Sequence, residues 1–439
     1  MPPTTRRDAL RLLLGGLATA GTARLDAVAT AASLGWPAAA PARRRAGRDA
    51  AGDVAPEAPH APPDFERPVL RPLHALLPDP LRIAAIDVVD LPGAAVASRD
   101  AGRWVRVHLA DGTIGAIPAN DQLRLLLPLL RELVVPFFVG RDARDLESLV
   151  DGVYEAERNY KFAGMPFWNC VGHVELALLD ALARRAALPV HRLVPGDARR
   201  DTIPMYVTRL TRETTPDEEV ARVRDALART GARAVKIKVG GRMRRNADAA
   251  PGRTEALVPA LRRAVGDDVT IYADANGSYD VREGIRIGRL LEAHGVAIYE
   301  EPCPWQDYDG TRAVTQALRT VQVAGGEQET SLHGFATIVR DRVLDIVQPD
   351  LFYNGGFVRA LRVARMAAGR GRAVGPHTPK ALPAAAPLLH FAAACPNITP
   401  FMEYRAEAAE FQEGRVAVPV GIGFGHERDA RFWAAAQVV

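Results

Sequence analysis

The sequence predicts an α/β protein in which an α+β module precedes a closed parallel β/α barrel. Two observations predict this fold. From Ile203 onward, eight short apolar segments alternate with amphipathic helical stretches, which favours a barrel over an open doubly wound sheet. Several of these segments end in acidic or basic residues, and the carboxyl ends of the strands are where parallel barrels carry their active-site residues.

The elements before and after the barrel follow from their own patterns. Residues 81–200 are predicted to form the α+β module, because segments 82–91 and 104–117 alternate as strands and helical periodicity follows them. The barrel is expected over residues 201–404. The tail, residues 405–439, is expected to return to the α+β module.

The N-terminal segment has the pattern of a targeting sequence. The pair Arg6 and Arg7 precedes a short apolar run and small residues, so residues 1–33 are interpreted as a twin-arginine export signal. The run is too short to span a bilayer. Residues 34–80 are interpreted as a linker, which is rich in Ala, Pro and Arg. An exported or periplasmic protein is expected, with a cytoplasmic location as the alternative.

Composition argues against several functional classes. Of the formal net charge of +4, most belongs to residues 1–62, which hold eight Arg and five acidic residues. The rest is nearly neutral and carries no electrostatic signature of nucleic-acid or membrane-surface binding. The three cysteines are far apart, so we expect neither a disulfide framework nor a thiolate metal site. No G-x-G-x-x-G follows an early strand and no P-loop is present, which argues against dinucleotide and nucleoside triphosphate chemistry.

Three carboxylates end three consecutive predicted strands of the barrel. Asp274, Glu300 and Glu327 are 26 and 27 residues apart, the length of one β/α repeat. Neighbouring strand ends meet at one rim, and a ligand set of oxygen atoms without His or Cys suits Mg²⁺. We therefore predict a Mg²⁺ site. Glu301, expected on the opposite strand face, and Asn276 are predicted to support the ligands.

Two lysines are predicted to act at the same rim. Lys236 and Lys238 lie two residues apart on one strand, so both side chains point to the same face. A partly desolvated lysine beside another cation has a lowered pKa, which would make it usable as a base near neutral pH.

A histidine and two further acids complete the predicted site. His377 lies one strand after Asp350, and a carboxylate that accepts from one imidazole nitrogen orients the ring and raises its basicity. Glu403, at the end of the last strand, can hydrogen-bond a substrate carboxylate when protonated, orient another group, or form a structural ion pair.

The motifs K-I-K, D-A-N, Y-E-E-P, G-G-E, Q-P-D and G-P-H follow one another on successive predicted strands. In this order they resemble the mandelate racemase branch of the enolase superfamily, within the mandelate racemase/muconate lactonizing enzyme family, over roughly residues 80–439. The resemblance implies a (β/α)7β-type TIM barrel with an α+β capping domain and Mg²⁺ at the three carboxylates. It also implies Lys238 as one acid/base, the His377–Asp350 dyad as the other, and Lys236 as the group that neutralises a substrate carboxylate.

The expected reaction is Mg²⁺-dependent removal of a proton α to a carboxylate through an enediolate. Dehydration of a sugar acid to a 2-keto-3-deoxy acid, by a hydro-lyase, is favoured. The resemblance implies it because acid-sugar dehydratases are the commonest enzymes of that branch. Racemisation or epimerisation, by an isomerase, is the alternative. A lyase that forms a lysine Schiff base and a non-catalytic sugar-acid binding protein are two further alternatives of other classes.

The predicted partners are a small-molecule carboxylate and further copies of the chain in a homo-oligomer, without nucleic acid or stable membrane insertion. The segment 240–255 is longer than the compact form of the motif and carries Arg242, Arg244 and Arg245. These arginines either bind the distal carboxylate of a diacid or face solvent. Residues 93–102 are the expected position of a specificity loop.

Overall fold

The computed structural model describes residues 65, 67–91, 102–196, 200–243, 245–405, 409–426 and 430–439. The predicted export signal, Arg244 and nearly all of the predicted specificity loop lie outside these ranges, and so does most of the predicted linker.

A small antiparallel sheet forms the first part of the described chain. Strands β1 (Ile83–Asp90), β2 (Arg103–Leu109) and β3 (Ile114–Pro118) pair in sequence, and the C-terminal strand β13 (Gln437–Val438) adds to the free edge of β1. The C-terminal end of the chain therefore lies on this sheet.

Helices cover one side of this sheet. The longest, α5, is buried from Phe167 to Ala183, with contacts to β2 and β3. The helices of this part, with a π-helical turn at Leu130–Val134 between the second and third, are α1 (Leu73–Leu76), α2 (Leu123–Leu129), α3 (Val135–Phe138), α4 (Leu146–Glu155) and α5 (Met165–Arg185).

Residues 67–80 differ from the linker interpretation. Leu70, Leu73 and Leu77 are buried in the hydrophobic core, and α1 lies among them. Pro and Arg remain frequent in this stretch, but its leucines bury apolar area, which stabilises a packed segment rather than a flexible one.

Eight parallel strands form the second part. They pair in chain order from the first to the seventh, and the eighth pairs with the first. The ring closes between the seventh and the eighth through a parallel bridge of Val374 with Ile398, just before the eighth strand. The strands are β4 (Thr202–Thr208), β5 (Ala234–Lys238), β6 (Thr270–Asp274), β7 (Ile298–Glu300), β8 (Gln322–Gly325), β9 (Ile346–Val347), β10 (Ala373–Val374) and β11 (Met402–Arg405).

A helix follows each of the first seven strands. Several begin at a side-chain cap, for example Thr215 with Glu218 in a capping box and Asp280 on the Glu283 N–H, which satisfies the free amides of the first turn. The helices are α6 (Pro216–Thr230), α7 (Arg253–Val265), α8 (Val281–Ala293), α9 (Tyr308–Ala317), α10 (Leu332–Arg340), α11 (Phe357–Ala368) and α12 (Ala386–Ala394). The predicted α/β barrel fold is confirmed.

The tail contacts both parts. Strand β12 (Arg415–Ala417) pairs antiparallel with β4 of the barrel, the short helix α13 spans Ala430–Ala434, and β13 joins β1. In the described part of the chain, no helix is long and apolar enough to cross a membrane.

Candidate active site

The inner face of the barrel determines where the candidate residues point. Side chains of alternate residues line this face, and six of them pack together: Tyr206, Ala234, Tyr272, Ile298, Ala324 and Ile346. Because strand side chains alternate, the residues two positions later also face inward. Lys236, Asp274 and Glu300 occupy those positions and lie at the carboxyl ends of their strands.

Lys236 is a buried cation surrounded by carboxylates. Its Nζ lies 2.9 Å from Glu300 Oε1, 2.8 Å from Glu403 Oε1 and 3.7 Å from Asp274 Oδ2. Burial alone would lower the pKa of Lys236, but Glu300 and Glu403 outweigh it and raise the pKa well above its usual value. The prediction of a lowered pKa is therefore wrong for Lys236, which is suited to hold a positive charge at a fixed point.

Lys238 lies one step further out on the same face. Its Nζ contacts Asp274 Oδ2 and donates to Asn276 Oδ1 over 3.2 Å. Asn276 also fixes Asp274, because its backbone N–H donates to Asp274 Oδ1 over 2.9 Å. Register places Lys238 beside Asp274 on neighbouring strands. The second lysine thus has a place between a carboxylate and an amide at the barrel mouth.

Arg212 is a neighbour of this group that the sequence reasoning missed. Its Nη2 donates to Asn276 Oδ1 over 2.7 Å, and its Nε donates to the Gly240 carbonyl over 3.2 Å. Arg212 lies four residues after β4, at the same rim as the other site residues. The position of Arg212 after the first barrel strand could have indicated a site residue, but no motif surrounds it.

The three carboxylates predicted to bind Mg²⁺ lie on successive strands or just after them. Asp274 and Glu300 are paired in register on β6 and β7, and Glu327 lies two residues beyond β8. Within the described ranges, no group of three His, Cys, Asp or Glu side chains is arranged to hold a metal ion. Each carboxylate contacts a nitrogen instead: Asp274 contacts Lys238, Glu300 contacts Lys236, and Glu327 contacts His377 Nε2 at 3.3 Å.

The chemistry of the donors nevertheless fits Mg²⁺. All three predicted ligands offer carboxylate oxygens, the donor type that this ion prefers, and Lys236 already places one cation within 3.7 Å of two of them. Burial and the neighbouring Asp274 raise the pKa of Glu300 to about 7, although Lys236 opposes the shift. The site holds six acidic side chains and only four basic ones, an excess of acids that a bound cation would offset. The acids are Asp274, Glu300, Glu301, Glu327, Asp350 and Glu403, and the basic residues are Lys236, Lys238, His377 and Arg212. The side chains would turn from their present partners to bind a metal.

Glu301 lies beside the predicted metal ligands. Strand β7 ends at Glu300, and Glu301 has φ 42°. A Cβ on Gly325 would lie 3.6 Å from Glu301 Cγ and 3.5 Å from Leu344, on the face of the sheet opposite the inward Ala324. Glu301 Oε2 accepts from Asn276 Nδ2 over 3.4 Å, and within the described residues its buried Oε1 has no hydrogen-bond partner. Burial and the charge of Glu327 raise the pKa of Glu301 well above its usual value. Glu301 therefore lies close to the predicted metal ligands, where a supporting residue is expected.

The imidazole and carboxylate of the predicted dyad do meet. His377 Nδ1 lies 2.8 Å from Asp350 Oδ2, and Asp350 Oδ1 accepts backbone N–H groups of Phe352 and Tyr353 over 2.8 and 3.0 Å. Burial lowers the pKa of His377, but Glu327 and the hydrogen bond to Asp350 raise it to about 10. The ring therefore has a fixed orientation, with Nε2 toward the carboxylates.

Glu403 links the two sides of the mouth. It contacts Lys236, and its Oε2 accepts the Thr378 backbone N–H over 3.0 Å, next to His377. Burial would raise the pKa of Glu403, but Lys236 and His377 lower it to about 2. Glu403 is therefore charged in this arrangement, which favours the ion-pair and orienting roles over the protonated one.

Two arginines of the long segment after β5 lie at the surface. The side chains of Arg242 and Arg245 are exposed, and the Arg242 backbone N–H donates to Ser278 Oγ over 2.8 Å. Their exposure agrees with the interpretation that they face solvent. Arg244 is outside the described residues.

Comparison with known proteins places the chain among related enzymes. The family model of enolase C-terminal domain-like proteins matches residues 218–432. Arabinonate dehydratase of Saccharolobus solfataricus is 27% identical over 74% of this chain and 88% of the relative. L-talarate/galactarate dehydratase of Salmonella typhimurium is 29% identical over 67% of this chain and 72% of the relative. D-galactarolactone cycloisomerase of Agrobacterium fabrum is 28% identical over 74% of this chain and 89% of the relative.

Solved structures show the same similarity. A protein from Roseobacter denitrificans with a provisional racemase assignment is 31% identical, with a TM-score of 0.74 over 82% of this chain and 98% of that chain. A mandelate racemase/muconate lactonizing protein from Paracoccus denitrificans, solved in complex with magnesium, is 25% identical, with a TM-score of 0.73 over 82% and 99%.

Proposed function

Because the chain belongs to the enolase superfamily, in the mandelate racemase/muconate lactonizing group, we propose that it is a Mg²⁺-dependent dehydratase of sugar acids. Two of the relatives are named as dehydratases of sugar acids, and one solved structure carries a provisional racemase assignment. The single observation that carries the proposal is the opposition of two proton-transfer groups. Lys238 lies on β5, and the His377–Asp350 dyad lies after β9 and β10, across the barrel mouth.

This arrangement suits removal of a proton α to a carboxylate. One group takes the proton from C2, and negative charge then builds on the substrate carboxylate. The buried ammonium of Lys236 meets that charge without reorganisation. A Mg²⁺ ion held by Asp274, Glu300 and Glu327 would add Lewis-acid stabilisation of the same charge.

Dehydration needs a second proton transfer at C3. The bond between C3 and its hydroxyl oxygen breaks as the imidazolium of His377 gives its proton to the departing oxygen, so one water leaves. The resulting enol takes a proton at C3 and becomes the 2-keto-3-deoxy acid. Asp350 keeps the ring oriented for this transfer, through the hydrogen bond of 2.8 Å to Nδ1.

Epimerisation or racemisation is the second candidate. The Roseobacter denitrificans structure with a provisional racemase assignment favours it. The same two groups would remove the proton on one face and return a proton on the other, with no loss of hydroxyl. Two relatives named as dehydratases support dehydration as the first choice.

A panel of acid sugars tests the proposal. Purified protein with Mg²⁺ is incubated with aldonates and aldarates, and 2-keto products are detected as semicarbazones. The proposal expects one or a few acids to give a 2-keto product. A changed configuration at C2 without any keto product would support the isomerase, and no change in any acid would contradict both.

His377→Asn separates the two proton transfers. Because Asn can neither donate a proton to the departing hydroxyl nor take one from carbon, we expect 2-keto product formation to fall by about 10²- to 10⁴-fold. Exchange of the C2 proton promoted by Lys238 should persist in D₂O, as followed by ¹H NMR. Substituting His294, outside the site, with Asn serves as the control. Undiminished product formation in His377→Asn would exclude the assigned role.

Export remains part of the proposal. Residues 1–33 support delivery through a twin-arginine pathway, which carries folded proteins. Fractionation of cells that express the chain, with and without Arg6→Lys and Arg7→Lys, tests it. We expect the unsubstituted chain to be exported and the doubly substituted chain to stay in the cytoplasm. Equal distribution of the two chains between the fractions would contradict export by this pathway.

A further inference from the structure

One helix of the small α+β part packs directly on the loop that carries the dyad carboxylate. A Cβ on Gly172 in α5 would lie 2.4 Å from the Phe352 carbonyl oxygen, so only a glycine lets the backbones approach this closely. The ring of His173, the next residue, lies 4.9 Å from the Phe352 ring. Phe352 in turn donates its N–H to Asp350. The helix therefore contacts the backbone that orients the dyad.

Glu175, one turn further along α5, binds the other end of this loop. Its two oxygens accept the N–H groups of Phe357 and Val358, each over 2.9 Å, and so cap the first turn of α11. Gly356 has φ 114°, and a Cβ there would meet Glu175 Oε2 at 2.3 Å. The side chain of Glu175 is fully buried, so no water replaces it as the acceptor of these amides.

Arg359 and Trp168 stack on each other and hold the middle of the loop. The guanidinium of Arg359 lies 3.6 Å from the ring centre of Trp168 in α5, and it donates to the carbonyls of Asn354 and Thr330 over 2.7 and 2.6 Å. Loop 350–358 is thus held from α5 at its start, its middle and its end.

From these contacts we propose that Glu175 is a positioning residue for the Asp350–His377 dyad. It acts through the backbone. Glu175 fixes the start of α11, which together with the turn at Gly356 fixes loop 350–358. That loop holds Asp350 through two backbone N–H groups. The proposal rests on the proposed function for its catalytic readout. A displacement of about 1 Å at a catalytic group can reduce a rate by about 10²-fold.

The kinetic test separates the dyad from Lys238. With a substrate of the wild-type enzyme, exchange of the C2 proton reports on Lys238, and loss of the C3 hydroxyl reports on His377. Glu175→Ala is expected to reduce the rate of hydroxyl loss by about 10- to 100-fold and the rate of C2 proton exchange by less than about threefold. Glu175→Gln, which keeps one acceptor oxygen, should fall between Glu175→Ala and the wild type.

A matched control lies on the same helix. Asp180 is also fully buried and also accepts two backbone N–H groups, from Ala116 over 3.0 Å and from Phe424 over 2.8 Å, but none from the dyad loop. Asp180→Asn should lower stability without separating the rate of C2 proton exchange from the rate of hydroxyl loss. Equal loss of both rates in Glu175→Ala, or the same selective loss in Asp180→Asn, would overturn the positioning role.

A measurement without substrate keeps the inference testable if the proposed function fails. Hydrogen–deuterium exchange of the backbone is followed by mass spectrometry in the peptides that cover residues 350–358. Glu175→Ala should accelerate exchange of the Phe352 and Tyr353 amides by about tenfold or more, since opening of the loop frees them. Asp180→Asn should leave these amides unchanged. Unaltered protection in a folded Glu175→Ala protein would overturn the proposal regardless of activity.

Discussion

Lys238→Ala should abolish most of the turnover. Lys238 is the lysine nearer the open end of β5, and its Nζ lies between Asp274 and Asn276 at the barrel mouth. Removal of a general base typically costs about 10²- to 10⁴-fold in rate, or about 2.7 to 5.5 kcal/mol of transition-state stabilisation. We expect kcat to fall within that range, with a much smaller change in KM. Steady-state kinetics with the substrate found in the acid-sugar panel measures both constants.

Two comparisons make the Lys238 result interpretable. Lys161→Ala removes an exposed lysine of the small α+β part, which has no contact with the named site residues, and should leave kcat unchanged. Lys236→Ala removes a cation from between Glu300 and Glu403, so it should destabilise the fold as well as slow the reaction, because buried carboxylates lose their partner. A Lys238→Ala enzyme with nearly wild-type kcat would exclude this residue as the base.

Removal of divalent metal should have an effect of similar size. After treatment with EDTA and desalting, we expect turnover to fall by at least about 10²-fold and to return on addition of Mg²⁺, because the charge on the substrate carboxylate then lacks the ion. The expected ligands are the carboxylates of Asp274, Glu300 and Glu327.

Metal binding can also be measured without turnover. At a Mg²⁺ concentration of 100 times its Kd, binding should stabilise the folded protein by about 2.7 kcal/mol, which appears as a rise in Tm. Glu327→Gln should greatly reduce that rise. Asp341→Asn, which alters an exposed ion pair with Arg340, is the matched control and should retain it. Full activity in the presence of EDTA, together with no Mg²⁺-dependent change in Tm, would contradict the metal site.

The strand-end residues show what the sequence could predict. Alternation along a strand is a local property, so the inward direction of Lys236, Asp274 and Glu300 follows from counting two residues from the barrel interior. The contact of His377 with Asp350 follows from neighbouring strands in the same way. The α/β barrel itself follows from the regular repeat of apolar segments.

Other features depend on contacts that no local pattern reveals. Burial would lower the pKa of Lys236, but Glu300 and Glu403, which lie on other strands, raise it. Glu301 has φ 42° directly after β7, a backbone conformation that alternation does not predict. Glu175 contacts an amide 182 residues away, so its connection with the dyad required the tertiary structure.

Exchange of the C2 proton in D₂O tests directly whether the protein removes a proton α to a carboxylate. The wild-type protein with Mg²⁺ is mixed with each acid of the panel, and loss of the C2 proton signal is followed by ¹H NMR together with formation of new products. We expect at least one acid whose C2 proton is lost to solvent or to product, and whose reaction is slowed by Lys238→Ala. A complete panel in which no C2 proton is lost with the metal-loaded, folded protein would contradict it.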